Sequence, residues 1–155
     1  MTTGPPVVLI GRKGVDNEPA NRNDTQREDA MFKDTKAFSG FAVHDTERAR
    51  EFYGQTLGLE VTDTGGPGLL TLHIAGGRDV LIYPKEHHKA ADYTILNFPV
   101  DDIEAAVDGL AERGVTFERY DGFDQDDRGI FRGPGPLIAW FKDPAGNILS
   151  VIEQG

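Results

Sequence analysis

The 155-residue chain contains no cysteine, one tryptophan and no long apolar run. The lack of cysteine excludes disulfide bonds, thiolate metal sites and a cysteine nucleophile. No apolar stretch approaches the roughly 18 residues of a membrane-spanning helix. The N-terminal residues also lack the basic and apolar blocks of a secretory signal. We therefore expect a cytoplasmic protein that has no membrane partner.

Basic residues are also scarce, since 16 Lys and Arg stand against 26 Asp and Glu, for a formal net charge of −10. Nucleic-acid-binding proteins usually present a basic face. We therefore expect no nucleic-acid partner, and on charge alone we expect a neutral or cationic small organic ligand. The hydrophobic content of 38%, with nine Phe, is sufficient for one globular core.

Residues 2–28 are rich in Gly, Pro, Asn, Asp and Arg, and only residues 7–10 form an apolar run. Ordering such a segment costs more conformational entropy than its burial returns. We expect residues 1–34 to be a flexible N-terminal extension. The alternative is that residues 7–10 add an edge strand or dock on a partner subunit. Met31 directly precedes the patterned region and could be a natural start.

The remainder of the chain contains the same unit twice. Four pairs of residues share an offset of 57 positions: Phe41 and Phe98, Val43 and Val100, Asp45 and Asp102, Ala49 and Ala106. Gly58 and Gly114 correspond after a slip of one residue. Two copies are too few for a solenoid, which needs three or more units. The repeat therefore predicts two halves of one domain, with a cleft between them.

Each unit has the pattern of a βαβββ module. The strands are predicted at residues 37–43, 59–63, 69–75 and 79–83 in the first unit, and at 93–100, 115–120, 137–141 and 148–153 in the second. Asp45 or Thr46 and Asp102 are predicted to cap the helices, which Gly58 and Gly114 terminate. Residues 143–147 have tight-turn chemistry. The prediction is a single α+β domain over 37–154, with repeats at about 37–84 and 93–154.

Together these motifs resemble the vicinal oxygen chelate superfamily, which includes glyoxalase I, bleomycin resistance proteins, fosfomycin resistance proteins and extradiol dioxygenases. The resemblance rests on the Val-x-Asp and Leu-Gly-Leu elements of the first unit, on their counterparts in the second, and on the closing Trp140-Phe-Lys-Asp-Pro-Ala-Gly-Asn147. It implies two βαβββ modules whose eight strands curl into a cup, the glyoxalase/bleomycin resistance-like fold. It also implies a homodimer.

The resemblance implies a divalent metal in catalytic members, held by His, Gln or Glu side chains. The three matching positions in this chain are Phe38, Ile95 and Ser150. Metals of this class need several imidazole or carboxylate donors, and neither Phe nor Ile can donate. We therefore expect no metal and no cofactor, and the metal-dependent chemistry of the family is placed in doubt.

Histidines are the next candidates for chemistry. His44 and the adjacent His87 and His88 have the positions of solvated surface residues or connections. His73 alternates with apolar residues and could face the cup as a hydrogen-bonding group or base, although a satisfied structural histidine is the preferred interpretation. Glu153 falls on the opposite sheet face from Ser150 and is expected to be a surface charge.

Strand alternation then nominates the residues of a ligand pocket. The predicted ligand-binding residues are Phe38, Gly40, His73, Tyr83, Ile95, Asn97, Trp140, Ser150 and Ile152. Asn97 could contact a ligand or could instead bond to Ser150 or to backbone. Residues 121–135 could form a lid or a mobile solvated loop.

Two functions of different class follow from this reasoning. The favoured hypothesis is a metal-independent small-molecule binding protein, similar to the bleomycin resistance branch, that sequesters a drug or metabolite and catalyses no reaction. The alternative is a divergent enzyme of lyase, isomerase or dioxygenase type, with relocated metal ligands or with metal-free acid–base chemistry at His73.

Overall fold

The computed structural model describes residues 31–155, within which residues 37–155 form one compact unit. Most of the predicted flexible extension, and with it the alternative edge strand at residues 7–10, lies outside the described residues. Residues 31–36 contain a turn in which the Thr35 amide and hydroxyl both donate to the carbonyl of Phe32. No helix in the described part of the chain is long and apolar enough to cross a bilayer.

The first module has all the elements of a βαβββ unit. They are β1 (Ser39–Val43), α1 (Thr46–Glu51), β2 (Glu60–Asp63), β3 (Leu70–His73) and β4 (Val80–Pro84). A π-helical turn, Phe52–Thr56, continues α1. The sheet order is β1-β4-β3-β2, in which β1 runs parallel to β4 and the other pairs are antiparallel. The helix thus connects two strands of one sheet.

The second module repeats this architecture with one strand fewer. It consists of β5 (Thr94–Val100), α2 (Ile103–Glu112), β6 (Ile138–Lys142) and β7 (Ile148–Glu153). The order is β5-β7-β6, again with a parallel pair, β5 and β7, beside an antiparallel one. The α+β class and the two-module fold predicted from the repeat are therefore confirmed, with seven strands in the described residues.

The predicted strand at 115–120 is wrong. This segment makes only an isolated bridge from Phe117 to Phe141, and the Glu118 amide donates to the Trp140 carbonyl at 2.7 Å. The next part of the edge of β6 is occupied by Phe131, whose amide donates to the Ile138 carbonyl at 2.7 Å. Two short pairings therefore share the edge that one full strand was expected to cover.

The ends of both helices have the predicted chemistry. The Asp45 carboxylate accepts from the Arg48 amide at 3.1 Å, and the Asp102 carboxylate accepts from the Ala105 amide at 3.0 Å. Gly58 and Gly114 have φ values of 72° and 87°, in the left-handed region that a side chain disfavours. Equivalent residues of the repeat thus set the start and the stop of each helical segment.

The hydrophobic core lies between the helices and one face of each sheet. Val43, Leu70, Leu72 and Ile82 are fully buried in the first module, as are Ala139, Phe141 and Leu149 in the second. The helices contribute buried residues at Ala49, Tyr53, Ile103 and Val107. Phe52 packs against Phe141 with ring centroids 6.4 Å apart, so the two modules share one core.

The 121–135 segment is a hydrogen-bonded loop anchored to α2. The Gln125 side chain bonds to the Tyr120 amide and to the carbonyls of Glu118 and Gly129. Arg128 reaches Asp108 at 2.8 Å, and Arg132 reaches Glu104 at 2.6 Å, on the helix. Aromatic rings of the loop also pack against Trp140, and the ring centroids of Phe123 and Trp140 are 5.6 Å apart. These contacts tie the loop to α2 and to β6.

Candidate functional site

A cleft of about 510 Å3 separates β1 from β5. Each of these strands lies at the end of its sheet, and within residues 31–155 they do not pair with each other. The cleft is lined by β1 and β5 and by the connector between the modules, residues 85–93. We call it the β1–β5 cleft. Two other cavities, of about 330 and 310 Å3, are smaller.

Gly40 allows β1 to form the wall of the cleft beside β4. A Cβ at this position would lie 3.1 Å from the Leu81 carbonyl oxygen, which is tighter than ordinary packing. Across the strand pair, Ala42 lies opposite Tyr83, which is half-buried and also lines the cleft. The sequence thus places a small residue on β1 and an aromatic residue on β4 along the same wall.

Buried Asn147 lines the cleft and fixes the orientation of His88. The Asn147 Nδ2 group donates to the Ala42 carbonyl at 3.0 Å and to Asp143 Oδ2 at 2.9 Å. Its Oδ1 atom therefore faces His88 Nε2, 3.0 Å away. Because an amide oxygen can only accept, we assign the proton of the neutral imidazole to Nε2. The Nδ1 atom of His88 has no hydrogen-bond partner in the described structure.

Asp143 connects this asparagine to the core. Its Oδ1 atom accepts from the amides of Ala145 and Asn147, both at 2.9 Å, and its Oδ2 atom accepts from the Tyr53 hydroxyl at 2.7 Å. Burial and then the negative charge of Asp143 raise the pKa of Tyr53 far above its ordinary value, so this hydroxyl keeps its proton and donates. A continuous hydrogen-bond chain thus runs from the π-helical turn that follows α1 to the cleft.

Three of the residues predicted for the pocket line the cleft: Gly40, Tyr83 and Ile95. Ile95 lies at an irregularity in the pairing of β5 with β7, between Thr94 and Leu96. The alternation that assigned it to the pocket is therefore interrupted at this position. Its presence in the cleft depends on β5 being an edge strand.

Another group of predicted pocket residues lies together on the second sheet but does not line the cleft. Asn97 pairs with Ser150, which pairs with Trp140, while Ile152 lies opposite Pro99 and Ile138. Ser150 is fully buried, and its hydroxyl donates to Asn97 Oδ1 at 2.6 Å. Ser150 was one of the partners predicted for Asn97, and this bond is present.

The remaining two predicted residues, Phe38 and His73, lie apart from both groups. Phe38 precedes β1 and is 70% exposed. His73 Nε2 lies 2.8 Å from Thr62 Oγ1, and its Nδ1 atom lies 3.2 Å from Asp79 Oδ2. Both ring nitrogens of His73 are thus engaged, as in a satisfied structural histidine.

The family metal does not fit these residues. Phe38 is exposed, Ile95 lines the cleft, and Ser150 is buried with its hydroxyl bonded to Asn97, so two of the three positions have no donor atom. Nowhere between residues 31 and 155 do three His, Asp or Glu side chains converge on a point that a metal could occupy.

Sequence reasoning missed several residues of the cleft. Lys85, His88, Lys89 and Tyr93 come from the connector, and Asn147 comes from the turn between β6 and β7. Only Asn147 belongs to a recognised motif; the connector has no periodicity and no counterpart in the repeat. Glu153 was also misjudged as a surface charge, because its carboxylate accepts from the Ile103 amide at 2.9 Å and caps α2.

The chain is similar to several proteins of known structure. A protein of the glyoxalase/bleomycin resistance protein/dioxygenase superfamily from Sphaerobacter thermophilus DSM 20745 is 26% identical, with a TM-score of 0.58 over 77% of this chain and 98% of that one. A glyoxalase family protein from Enterococcus faecalis is 24% identical, with a TM-score of 0.58 over 79% of this chain and 100% of that one.

The antibiotic binding protein TnmS3 from Streptomyces sp. CB03234 shares the fold at 22% identity, with a TM-score of 0.55 over 79% of this chain and 98% of that one. No curated protein gives a significant match. The family model of the Glyoxalase/Bleomycin resistance protein/Dioxygenase superfamily matches residues 37–151, which span both modules. The chain therefore belongs to the glyoxalase/bleomycin resistance protein/dioxygenase superfamily.

Proposed function

We propose that this protein binds a small organic molecule in the β1–β5 cleft, that it needs no metal to do so, and that it sequesters a drug or metabolite. The observation that carries the proposal is the cleft itself. Its volume of about 510 Å3 falls within the range of roughly 300–1,000 Å3 that is usual for ligand sites. The description of the similar TnmS3 as an antibiotic binding protein supports the same class of function.

The lining of the cleft combines apolar contact with directional polar groups. Apolar atoms come from Phe41, Ile95 and Leu96, while directional polar groups come from His88 and Asn147. The hydrogen bond between these polar residues holds His88 in one orientation before any ligand arrives. Such preorganisation reduces the entropy lost on binding.

The alternative of a divergent enzyme receives less support from this geometry. His73, its proposed base, bonds to Thr62 and lies beside Asp79, and it does not line the β1–β5 cleft. A homodimer, a cytoplasmic location and a flexible segment at residues 1–34 remain predictions.

The proposal is tested by filling the cleft. Ala91 lines it and is half-buried, whereas neighbouring Ala90 is exposed and does not line it. A thermal-shift screen of drug-like and metabolite compounds is expected to give hits that raise Tm, since a ligand at about 100 times its Kd stabilises by roughly 2.7 kcal/mol. Ala91→Trp should abolish these shifts, and Ala90→Trp should preserve them.

Two results would contradict the proposal. Hits that stabilise the wild type and Ala91→Trp equally would place the site elsewhere. A stoichiometric Zn, Ni, Mn or Fe ion in protein purified without chelator, or hits that require such an ion, would refute metal independence. Folding of both variants is checked by circular dichroism before the comparison.

A further inference from the structure

The β1–β5 cleft has a local charge opposite to that of the protein. The whole chain has a formal net charge of −10. The cleft nevertheless is lined by two lysines, Lys85 and Lys89, and no Asp or Glu is among its described lining residues. A concave site lined by one sign of charge attracts ligands of the other sign.

The two lysines keep their charge available. Most arginines that form ion pairs with carboxylates in this structure have a short N–O distance. Examples are Arg50 with Asp63 and Arg132 with Glu104, both at 2.6 Å. Lys142 lies 3.5 Å from Glu118. Neither Lys85 nor Lys89 has a carboxylate within ion-pair distance in the described chain. Neither charge is therefore engaged in an ion pair among the described residues.

The walls of the cleft are suited to an aromatic ring of a ligand that lies beside the two lysine charges. Tyr83 and Tyr93 supply rings, and Tyr93, in the connector, is 67% exposed. Aromatic side chains gain most from stacked or edge-to-face contact with another ring. His88 bonds to Asn147 through Nε2, so its Nδ1 atom adds one acceptor for a ligand hydroxyl.

Resting on the proposed function, the geometry points to an aromatic organic anion, such as an aryl carboxylate or phenolate, as the class of ligand that the β1–β5 cleft binds. The lysines contact the anionic group, and the aromatic walls contact the ring. A cationic ligand is disfavoured because it would meet like charges without a carboxylate partner. This conclusion departs from the neutral or cationic ligand that net charge suggests, because the local field, not the total charge, acts on a bound molecule.

Three naphthalenes of equal ring size test the inference: 2-naphthoate, 2-naphthylmethanol and 2-naphthylmethylamine, which are anionic, neutral and cationic. Binding is measured by equilibrium dialysis with the full chain at about 50 mM salt. We expect the anion to bind about tenfold more tightly than the alcohol, a ratio that corresponds to about 1.4 kcal/mol and that two exposed ion pairs within their usual range provide. The preference should shrink at about 500 mM salt, where screening is stronger.

The matched variants separate local from global charge. Lys85→Gln/Lys89→Gln removes two positive charges from the cleft, and Arg78→Glu makes the same change in net charge at an exposed residue outside it. The double variant should lose the preference for naphthoate while binding the alcohol as before. Arg78→Glu should keep the preference, and Ala91→Trp should weaken binding of both probes.

The possible failures are distinguishable. Equal or tighter binding of the alcohol or the amine would overturn the anion assignment, while sensitivity of that binding to Ala91→Trp would leave the proposed function standing. Absence of binding by all three probes would also overturn the assignment. The thermal-shift screen would then decide whether the protein binds a small molecule in the cleft. A naphthoate preference that survives loss of both lysines would show that these residues do not create it.

Discussion

The isosteric substitution Asp143→Asn is expected to destabilise the protein strongly. Asp143 is 4% exposed, and each of its carboxylate oxygens accepts two hydrogen bonds. An asparagine keeps one oxygen for the Ala145 and Asn147 amides but places an NH2 group where Oδ2 was. Tyr53 can rotate its hydroxyl to accept from this group. The Asn147 Nδ2 group can only donate, so in the variant two buried donors face each other.

The magnitude follows from these contacts. Hydrogen bonds to a charged group contribute about 1.5–3 kcal/mol each, and a buried group left without a partner costs about 1–3 kcal/mol. With partial recovery at Tyr53, we expect a loss of roughly 3–5 kcal/mol. This is a large part of the roughly 5–15 kcal/mol of a typical domain. Urea unfolding followed by circular dichroism measures it, and Asp92→Asn, at an exposed site, should change stability by less than about 0.5 kcal/mol.

A double-mutant cycle then tests the proposed cause. Tyr53→Phe should cost about 1.5–3 kcal/mol in the wild type, because it removes one bond to the carboxylate. In the Asp143→Asn background the same substitution should cost less than about 1 kcal/mol, since the partner is already changed. A loss below about 1 kcal/mol for Asp143→Asn alone, with an unchanged m value, would refute the reasoning.

Further predictions concern the helix ends and the 121–135 loop. Gly114→Ala should destabilise the protein by about 1–2 kcal/mol, because Gly114 has a φ of 87°. Gly109→Ala, inside α2 where an added Cβ meets open space, should instead stabilise it by about 0.5–1 kcal/mol. Equal effects of the two substitutions in urea unfolding would contradict this. Although burial acts in the opposite direction, hydrogen bonds from Arg132 and from the Ile130 and Arg128 amides lower the pKa of Asp126 below 3.8. Its stabilisation is therefore complete above that pH and is lost as the pH falls through the folded-state pKa. Asp126→Asn should flatten this acid limb in pH-dependent unfolding, and an unchanged limb would assign it to other carboxylates.

Local features of the fold could be predicted from the sequence. The helix caps at Asp45 and Asp102 and the stops at Gly58 and Gly114 depend on residues close in the chain, and all are present in the structure. The strand at 115–120 failed for a different reason. Its alternating pattern was compatible with β6, but Phe131 from the following loop takes part of the same edge. Competition between two distant segments leaves no periodic signal.

The candidate site was harder to predict because it depends on how the two sheets are placed. Alternation correctly grouped Asn97 with Ser150 on one sheet face, yet it could not show that neither residue lines the β1–β5 cleft with Gly40. That placement is maintained by bonds such as Tyr53 to Asp143 and Asn147 to Ala42, which join residues about a hundred positions apart. Such pairs are invisible to spacing rules within one element.

The connector that lines the β1–β5 cleft is the part of the domain that belongs to neither copy of the repeat. The duplicated strands supply two similar walls, while Lys85, His88 and Lys89 come from the segment that joins them. An internally symmetric scaffold thus acquires an asymmetric site through its unduplicated stretch. Exchanging residues 85–93 for those of a relative is therefore a way to alter ligand preference without rebuilding either module.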